Sequence, residues 1–492
     1  MITLKQIHSL QTHYNVADSS FNGGEVGFDE YVSQCRVFIT NNLPEEYSKG
    51  LWDDDKKHDQ LVTLTSLFVG EHRVKVKGYV SPEGVIQADQ LLEDLIDFIT
   101  GEAVLREALD DEEVDEIQIN DKNTIFVSKG GRLVPYVNKH GKIMQFSNND
   151  EIGIVLSKLI DDGTGNKPQY TEGNPILNAK TFKKQYRVNS VLYNLNARAK
   201  APYDFPVTTA VIRKFKEVSL TMDKMIEYGA LTPKMARFLL LIGKAEISPF
   251  FVGPTASGKT SLLRAVFSEA PLDRRIILIQ NPTEVSFHER DEYGRLIRNV
   301  VHHEVWQKAP HTVNAHLGSM AGLMENTLRE SPEILIMGEA RTPAEFEQVI
   351  RAATTGHVVG GTYHAKNSRD ALDRFARELL AGSNSGYMEN LRLVANKVNI
   401  IVTQFRFPDG RRRVMEISEI NGVDEKGEPN IRTLFEFQMS GETRENEYGL
   451  MEVLGEFKQV GTISEDFAKE LFKGAISKQT IAEFMEITES LD

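Results

Sequence analysis

A single cysteine, Cys35, is all that this chain of 492 residues contains, so neither an internal disulfide framework nor a tetracysteine zinc module can be built within it. That residue reads as a small buried apolar side chain in a reducing compartment. Basic residues are in deficit as well. There are 57 Lys and Arg against 71 Asp and Glu, a formal charge of −14, which argues against a broad polyanion-binding face. Long apolar runs are missing. The nearest, residues 238–242, falls far short of the roughly 18 to 20 residues that cross a bilayer, and residues 1–8 lack the uninterrupted apolar core of a secretory leader. No internal repeat or low-complexity tract interrupts an otherwise ordinary globular composition. The expectation is a cytoplasmic protein without membrane insertion, too long for one core and divided into about three domains.

What is present is organised around Gly253-Pro254-Thr255-Ala256-Ser257-Gly258-Lys259-Thr260, which fits the phosphate-binding pattern G-x-x-x-x-G-K-[ST]. The glycines let backbone wrap a polyphosphate, the freed amides donate to its oxygens, Lys259 offers a point charge, and Thr260 offers a hydroxyl to Mg²⁺. Context agrees with the pattern. Phe250-Phe251-Val252 reads as a buried strand feeding the loop, and residues 261–267 read as a helix whose positive end faces the phosphates.

Taken in order, residues 1–100 read as a small accessory region, with turns at Phe21-Asn22-Gly23-Gly24, acids at Asp53-Asp54-Asp55 and strand-like pieces at 61–64 and 73–76. Helical spacing of Leu91, Leu92, Leu95, Ile96, Ile99, Leu105 and Leu109 is broken at Gly101. Residues 101–213 then form a mixed α+β domain. Its parts are an alternating strand at 114–119, a hairpin about Gly130-Gly131, a helix at 150–160 and strands at 186–195 and 208–212. A linker is expected over 214–230. Over 231–440, four apolar runs at 276–279, 334–337, 358–362 and 398–402 alternate with helical patterns. Continuous rather than alternating apolarity predicts a parallel sheet covered on both faces. Thr342 to Glu345 spells a capping box with Pro343 at the first helical position, and Gly356 stands where that helix should stop. Alternation of Val414, Ile417 and Ile420 between Asp409-Gly410 and Asn421-Gly422 predicts a β appendage, with a helical tail over 441–492.

Glu339 follows an apolar strand at the carboxyl end of the sheet, where a carboxylate can orient the water that attacks a γ-phosphate. His357 and His364 bracket the next strand, and His364 stands at its carboxyl end, within reach of a γ-phosphate. His302, His303, His311 and His316 match no zinc spacing, and Arg411-Arg412-Arg413 reads as a solvated hairpin edge.

The loop at 253–260, Gln280-Asn281-Pro282-Thr283-Glu284, residues 335–341 and residues 355–365 resemble, in order, the Walker A, Asp-box, Walker B and His-box motifs of the type II/type IV secretion ATPase superfamily. The similarity covers roughly residues 100–440. The resemblance implies a RecA-like P-loop ATPase core behind a PAS-like α+β domain, assembled as a homohexamer at the cytoplasmic face of the inner membrane on a platform or secretion-channel protein. It implies that Lys259 and Thr260 hold ATP and Mg²⁺, that Glu339 is the Walker B glutamate and His364 the His-box histidine, and that Arg187 and Arg213 reach the nucleotide of an adjoining protomer. From the acidic balance of the chain, nucleic acid is not expected as a direct ligand. In one respect the chain departs from the pattern: Gln280-Asn281 replaces the two acids that usually open the Asp box, leaving Glu284 at its last acidic position. Pilus assembly or conjugative secretion is the reading favoured. The alternatives are a RecA-like DNA translocase or helicase and a slowly hydrolysing nucleotide-binding scaffold ring.

Overall fold

The computed structural model describes residues 25–487 except 43–53, 73, 82–84, 101–103, 130–131, 138–140, 142, 147–148, 161–171, 174, 182–185, 196–206, 215–219, 282, 306–314, 382–384 and 447–448. It divides the chain into two units, Met1–Lys216 and Glu217–Asp492. The expected turn at 21–24, the helix break at Gly101, the hairpin tip at Gly130-Gly131 and His311 lie outside the described residues.

In the first unit a short parallel pair, β1 (Glu25–Val26) and β2 (Lys75–Val76), accompanies the helices α1 (Phe28–Asn42), α2 (Asp54–Glu71) and α3 (Ala88–Thr100). Tyr31, Cys35, Phe68, Leu91 and Leu95 close their core, so the lone cysteine is a packing residue. Residues 61–64, expected as strand, belong to α2. Leu64, Thr65 and Phe68 are buried with Leu61 packed beside them, and that spacing is the face of a helix rather than the alternation of a strand. The strand expected over 73–76 shrinks to β2.

After α4 (Arg106–Asp110) come β3 (Val114–Asp121), β4 (Thr124–Lys129), β5 (Arg132–Pro135), α5 (Asn149–Leu159), β6 (Ile176–Lys180), β7 (Arg187–Val191) and β8 (Thr209–Arg213). They form an antiparallel sheet in the order β5-β4-β3-β8-β7-β6. Ile117, Ile119, Val127, Val188 and Ile212 turn to one face and join Ile152 and Leu156 of α5 in a core. The opposite face carries Glu116, Gln118, Asn189, Arg187 and Arg213. The linker expected over 214–230 is narrower than that. Lys214 is tied to the carbonyls of Ala108 and Asp111, whereas Met222 and Met225 are already buried in the second unit.

The second unit runs through α6 (Met222–Glu227), α7 (Pro233–Lys244), β9 (Pro249–Val252), α8 (Lys259–Phe267), β10 (Ile276–Gln280), β11 (Val300–Glu304), α9 (Met320–Thr327), β12 (Ile334–Met337), α10 (Pro343–Thr354), β13 (Val358–Tyr363), α11 (Ser368–Leu380), α12 (Tyr387–Ala395) and β14 (Ile400–Arg406). It ends in β15 (Arg412–Val423), β16 (Pro429–Glu445), β17 (Met451–Gln459), α13 (Glu465–Lys473) and α14 (Lys478–Ala482). One nine-stranded sheet orders them β11-β10-β12-β13-β9-β14-β15-β16-β17. The first six are parallel and the last three antiparallel.

The apolar runs have the reason expected of them. Phe251, Ile276, Leu278, Ile334 and Ile336 face a layer with α7 and α8, while Phe250, Val252, Ile277, Ile279, Leu335 and Met337 face a layer with α10, α11 and α12. A phosphate-loop strand central to a parallel sheet, with helices on both faces, makes this a RecA-like α/β P-loop core. Two elements depart from expectation. The edge strand β11, Val-Val-His-His-Glu, is too polar to read as a buried run. The tail from 441 is not helical at first: it completes β16, whose outer part is exposed and so lacks an apolar signature, and forms β17, and helices begin only at Glu465.

Candidate functional site

β10, β12, β13 and β9 are four consecutive strands of the sheet, so their carboxyl ends bring four motifs to one edge. Past Val252 the chain turns at Gly253 with φ 148°, where a Cβ would stand 2.0 Å from the Gln404 carbonyl oxygen. It passes through the left-handed region again at Ala256 (φ 62°) and Gly258 (φ 95°) before α8 begins. Gly258 is the N-cap of α8 and provides no side-chain cap. The Lys259 ammonium lies folded against the loop, donating to the carbonyls of Gly253 (3.0 Å) and Pro254 (2.8 Å). Burial holds its pKa below the ordinary lysine value, with the charges of Glu339 and Glu284 opposing that shift. Ser257 is fully buried, yet its hydroxyl has no hydrogen-bond partner among the described residues. An orphaned hydroxyl, an uncapped helix and a buried ammonium held only by loop carbonyls together fit a polyanion such as a nucleotide's phosphates.

At the end of β12 stands Gly338, closely packed: a Cβ there would lie 3.0 Å from Cγ of Gln280 on the neighbouring strand. Glu339 follows with both carboxylate oxygens engaged. Nε of Arg341 donates to Oε2 at 3.0 Å, and Nε2 of His364 lies 2.6 Å from Oε1. Burial pushes the Glu339 pKa up, but the hydrogen bond and charge of Arg341, with His364 and Lys259, outweigh it and hold the carboxyl below its usual range. His364 in turn bridges to the loop, its Nδ1 3.1 Å from the Gly253 carbonyl. A carbonyl only accepts, so Nδ1 is the donor in that contact. Glu339, His364 and the Gly253 carbonyl are thus linked in one chain of contacts.

Gln280 ends β10 almost fully buried. Its Oε1 accepts from the amides of Glu284 (2.9 Å) and Val285 (3.1 Å), and its Nε2 donates to the Val285 carbonyl at 2.8 Å. The amide is a clasp for the following turn rather than a group turned to solvent. A carboxylate could accept the two N–H groups but could not donate to the Val285 carbonyl. The clasp fixes the turn from which the Glu284 charge acts on Lys259.

Residues 182–421, which include every group of this site, match the family described as Type II/IV secretion system protein. Over these residues, just under half of its length, the chain is similar to the type II/type IV secretion ATPase superfamily. It is 27% identical over 260 residues to an uncharacterized protein of Methanocaldococcus jannaschii, covering 51% of this chain and 41% of that one. It is 26% identical over 310 residues to the probable conjugal transfer protein TrbB of Sinorhizobium fredii, covering 62% and 83%. With the type IV pilus ATPase PilU of Pseudomonas aeruginosa it shares 25% over 226 residues, covering 45% and 53%. The chain therefore spans less than half of the first of these relatives and about half of the last.

The other residues singled out from the sequence belong to other elements. Arg187 on β7 and Arg213 on β8 stand directly opposite each other in the first unit, with Lys180 beside Arg187 and Glu116 beside Arg213. His357 does not share the site of His364. It sits at the opposite end of β13, its Nδ1 3.2 Å from the Ala352 carbonyl at the end of α10. His302 accepts from the Phe287 amide and His303 lies against Glu330, so both serve the β11 edge. The arginine triplet is not the solvated edge it was expected to be. Arg411 meets Glu452, Arg413 is buried between the rings of Phe407 and Phe437, and Arg412 donates from Nε to the Ala256 carbonyl of the phosphate loop at 2.9 Å. Arg412 and Gln404 are the site residues that sequence reasoning missed. Only the triplet itself, one strand past a glycine turn, marks the first, and nothing marks the second.

Proposed function

We propose that this protein hydrolyses ATP as a motor of a pilus-assembly or conjugative secretion apparatus, working as a homohexamer against a platform or channel protein at the cytoplasmic face of the inner membrane. The observation that carries the reading is the chain of contacts from Glu339 through His364 to the Gly253 carbonyl, beside a buried Lys259 that has no anionic hydrogen-bond partner among the described residues. Similarity to the superfamily and the names of TrbB and PilU support the choice of apparatus. Among the described residues no helix is long and apolar enough to cross a membrane, so force would pass through a partner.

In this reading residues 253–260 hold the β and γ phosphates with main-chain amides, and Lys259 exchanges its loop carbonyls for phosphate oxygens. Mg²⁺, held through the Thr260 hydroxyl, would neutralise charge between those phosphates. Glu339 orients the attacking water. Its depressed pKa keeps it ionised, and it must release one of its two present partners to do so. His364 links the state of Glu339 to the loop, which gives the γ-phosphate a route to the rest of the sheet. Arg187 and Arg213 supply positive charge to a neighbouring protomer's nucleotide. The two arginines stand directly opposite on adjacent strands, with Glu116 beside Arg213, and this concentration of positive charge supports that role.

The test compares wild type with Glu339→Gln. Nucleotide affinity should survive while kcat falls by about 10²-fold or more. Equal, negligible turnover in both would leave the scaffold reading instead. Failure of the folded wild type to bind ADP or ATP in calorimetry would remove nucleotide chemistry altogether.

A further inference from the structure

We propose that Arg412 is a positioning residue for the phosphate loop, aiming one of its amides from the far side. This inference rests on the nucleotide reading of residues 253–260. The Arg412 Nε donates to the carbonyl of Ala256 at 2.9 Å. A trans peptide unit is planar with its C=O and N–H pointing opposite ways, so holding that carbonyl fixes the direction of the Ser257 N–H, away from the guanidinium. The adjacent positive charge also polarises the peptide and strengthens its N–H as a donor.

Ala256 needs such support. It is a residue with a Cβ in the left-handed region, φ 62°, where only glycine is at ease. Two further contacts show the β14–β15 hairpin moulded to the loop. A Cβ on Gly258 would lie 3.2 Å from Cδ of Arg412, and one on Gly253 would lie 2.0 Å from the Gln404 carbonyl, next to the register shift between Thr403 and Gln404. The hairpin is itself anchored. Arg413 stacks 4.9 Å and 4.8 Å from the ring centres of Phe407 and Phe437, and Arg411 reaches Asp409 and Glu452.

The other carbonyls of the loop that are held by cations, Gly253 and Pro254, are taken by Lys259, with His364 also on Gly253. Lys259 is the group that a triphosphate recruits, so its hold on the loop is lost when ligand arrives. Arg412 approaches from the hairpin side and does not compete with phosphate. It is the standing clamp, and it connects the antiparallel extension β15–β17 to nucleotide affinity.

The test measures ADP affinity by calorimetry and steady-state ATP turnover on full-length wild type, Arg412→Gln, Arg412→Lys and, as a control, Arg369→Gln, whose exposed side chain pairs with Glu428. The expected result for Arg412→Gln is an ADP Kd raised about tenfold, with KM for ATP raised in proportion and kcat within about twofold. Arg412→Lys should recover part of the affinity, and Arg369→Gln should match wild type. Wild-type ADP affinity in Arg412→Gln, or a fall in kcat at unchanged Kd, overturns the proposal. If Arg412→Gln does not fold, Arg412→Lys decides: weaker ADP binding supports the clamp and wild-type binding overturns it. A wild type that binds no ADP fails the nucleotide reading itself, a result distinct from either.

Discussion

A carboxylate and an amide stand at the carboxyl ends of neighbouring strands in this site, and their surroundings explain the choice. Glu339 keeps its charge because Arg341, His364 and Lys259 surround it. Gln280 faces two backbone donors and one backbone acceptor, a set that an amide satisfies and an acid does not. The turn that Gln280 clasps is tied a second time by His302, whose Nε2 accepts from the Phe287 amide at 3.2 Å and whose ring stacks 4.0 Å from that of His288. Burial, with the neighbouring His288 and His303, pulls the His302 pKa from 6.5 down to about 4. Between those values the unfolded chain binds a proton that the folded one refuses, so this residue makes stability fall as pH drops from 6.5 towards 4. His302→Gln keeps an acceptor for the Phe287 amide and removes the titration. Thermal unfolding at constant ionic strength, taken at about pH 7 and about pH 5, should show a smaller acid-induced loss in His302→Gln than in wild type. Equal losses would assign the acid sensitivity to other groups.

At the scale of elements, the helix that carries the site forward from β12 is the one most completely written in local sequence. α10 has its capping box at Thr342 and Glu345 and Pro343 at its start. It ends in paired bonds from the Gly356 amide to the Ala353 carbonyl and from the His357 amide to the Ala352 carbonyl, with Gly356 at φ 94°. Nothing lies within 4 Å of a Cβ added to Gly356, so Gly356→Ala should cost only the left-handed conformation, about 1 to 2 kcal/mol. Gly360 in β13 is the contrasting case. An added Cβ would stand 2.4 Å from the Phe267 ring of α8, in a packed core, so Gly360→Ala should destabilise more than Gly356→Ala, by roughly 3 kcal/mol. Urea unfolding followed by circular dichroism checks the order, and a reversed order would mean that β13 and α8 are not packed as described. The same contrast explains what could be read beforehand. Caps, glycine stops and doubly buried strands announce themselves in neighbouring residues, so α10 and the sheet strands from β9 to β14, apart from β11, were legible. Edges and exposed arms were not: β11 pairs two valines with two histidines, and the outer part of β16 is polar on both sides. Arg412 and Gln404 escaped because their partner, the phosphate loop, lies about 150 residues away in the chain and leaves no spacing to detect.

For the whole molecule, the decisive question is which chain supplies the arginines. The second unit contains Lys259, Arg341 and Arg412 at the site, but Arg341 is held by Glu339 and Arg412 holds Ala256, so charge developing on a transferred phosphoryl group calls for a further cation. Arg187 and Arg213, opposed on the first unit's sheet, have side chains with no hydrogen bond or ion pair among the described residues and are the candidates. Co-expressing Arg213→Ala with Lys259→Ala distinguishes the routes by counting. Each variant alone should be inactive. If Arg213 serves a neighbour, a mixed ring has a working site wherever a protomer with intact Lys259 adjoins one with intact Arg213, and at equal amounts random assembly gives this at about a quarter of the sites. If Arg213 serves its own chain, every site lacks one of the two groups and no ratio restores turnover. The quarter does not depend on the number of protomers in the ring, so the measurement needs only ATPase activity against the mixing ratio, with a maximum at equal amounts expected and a flat zero refuting service across the interface.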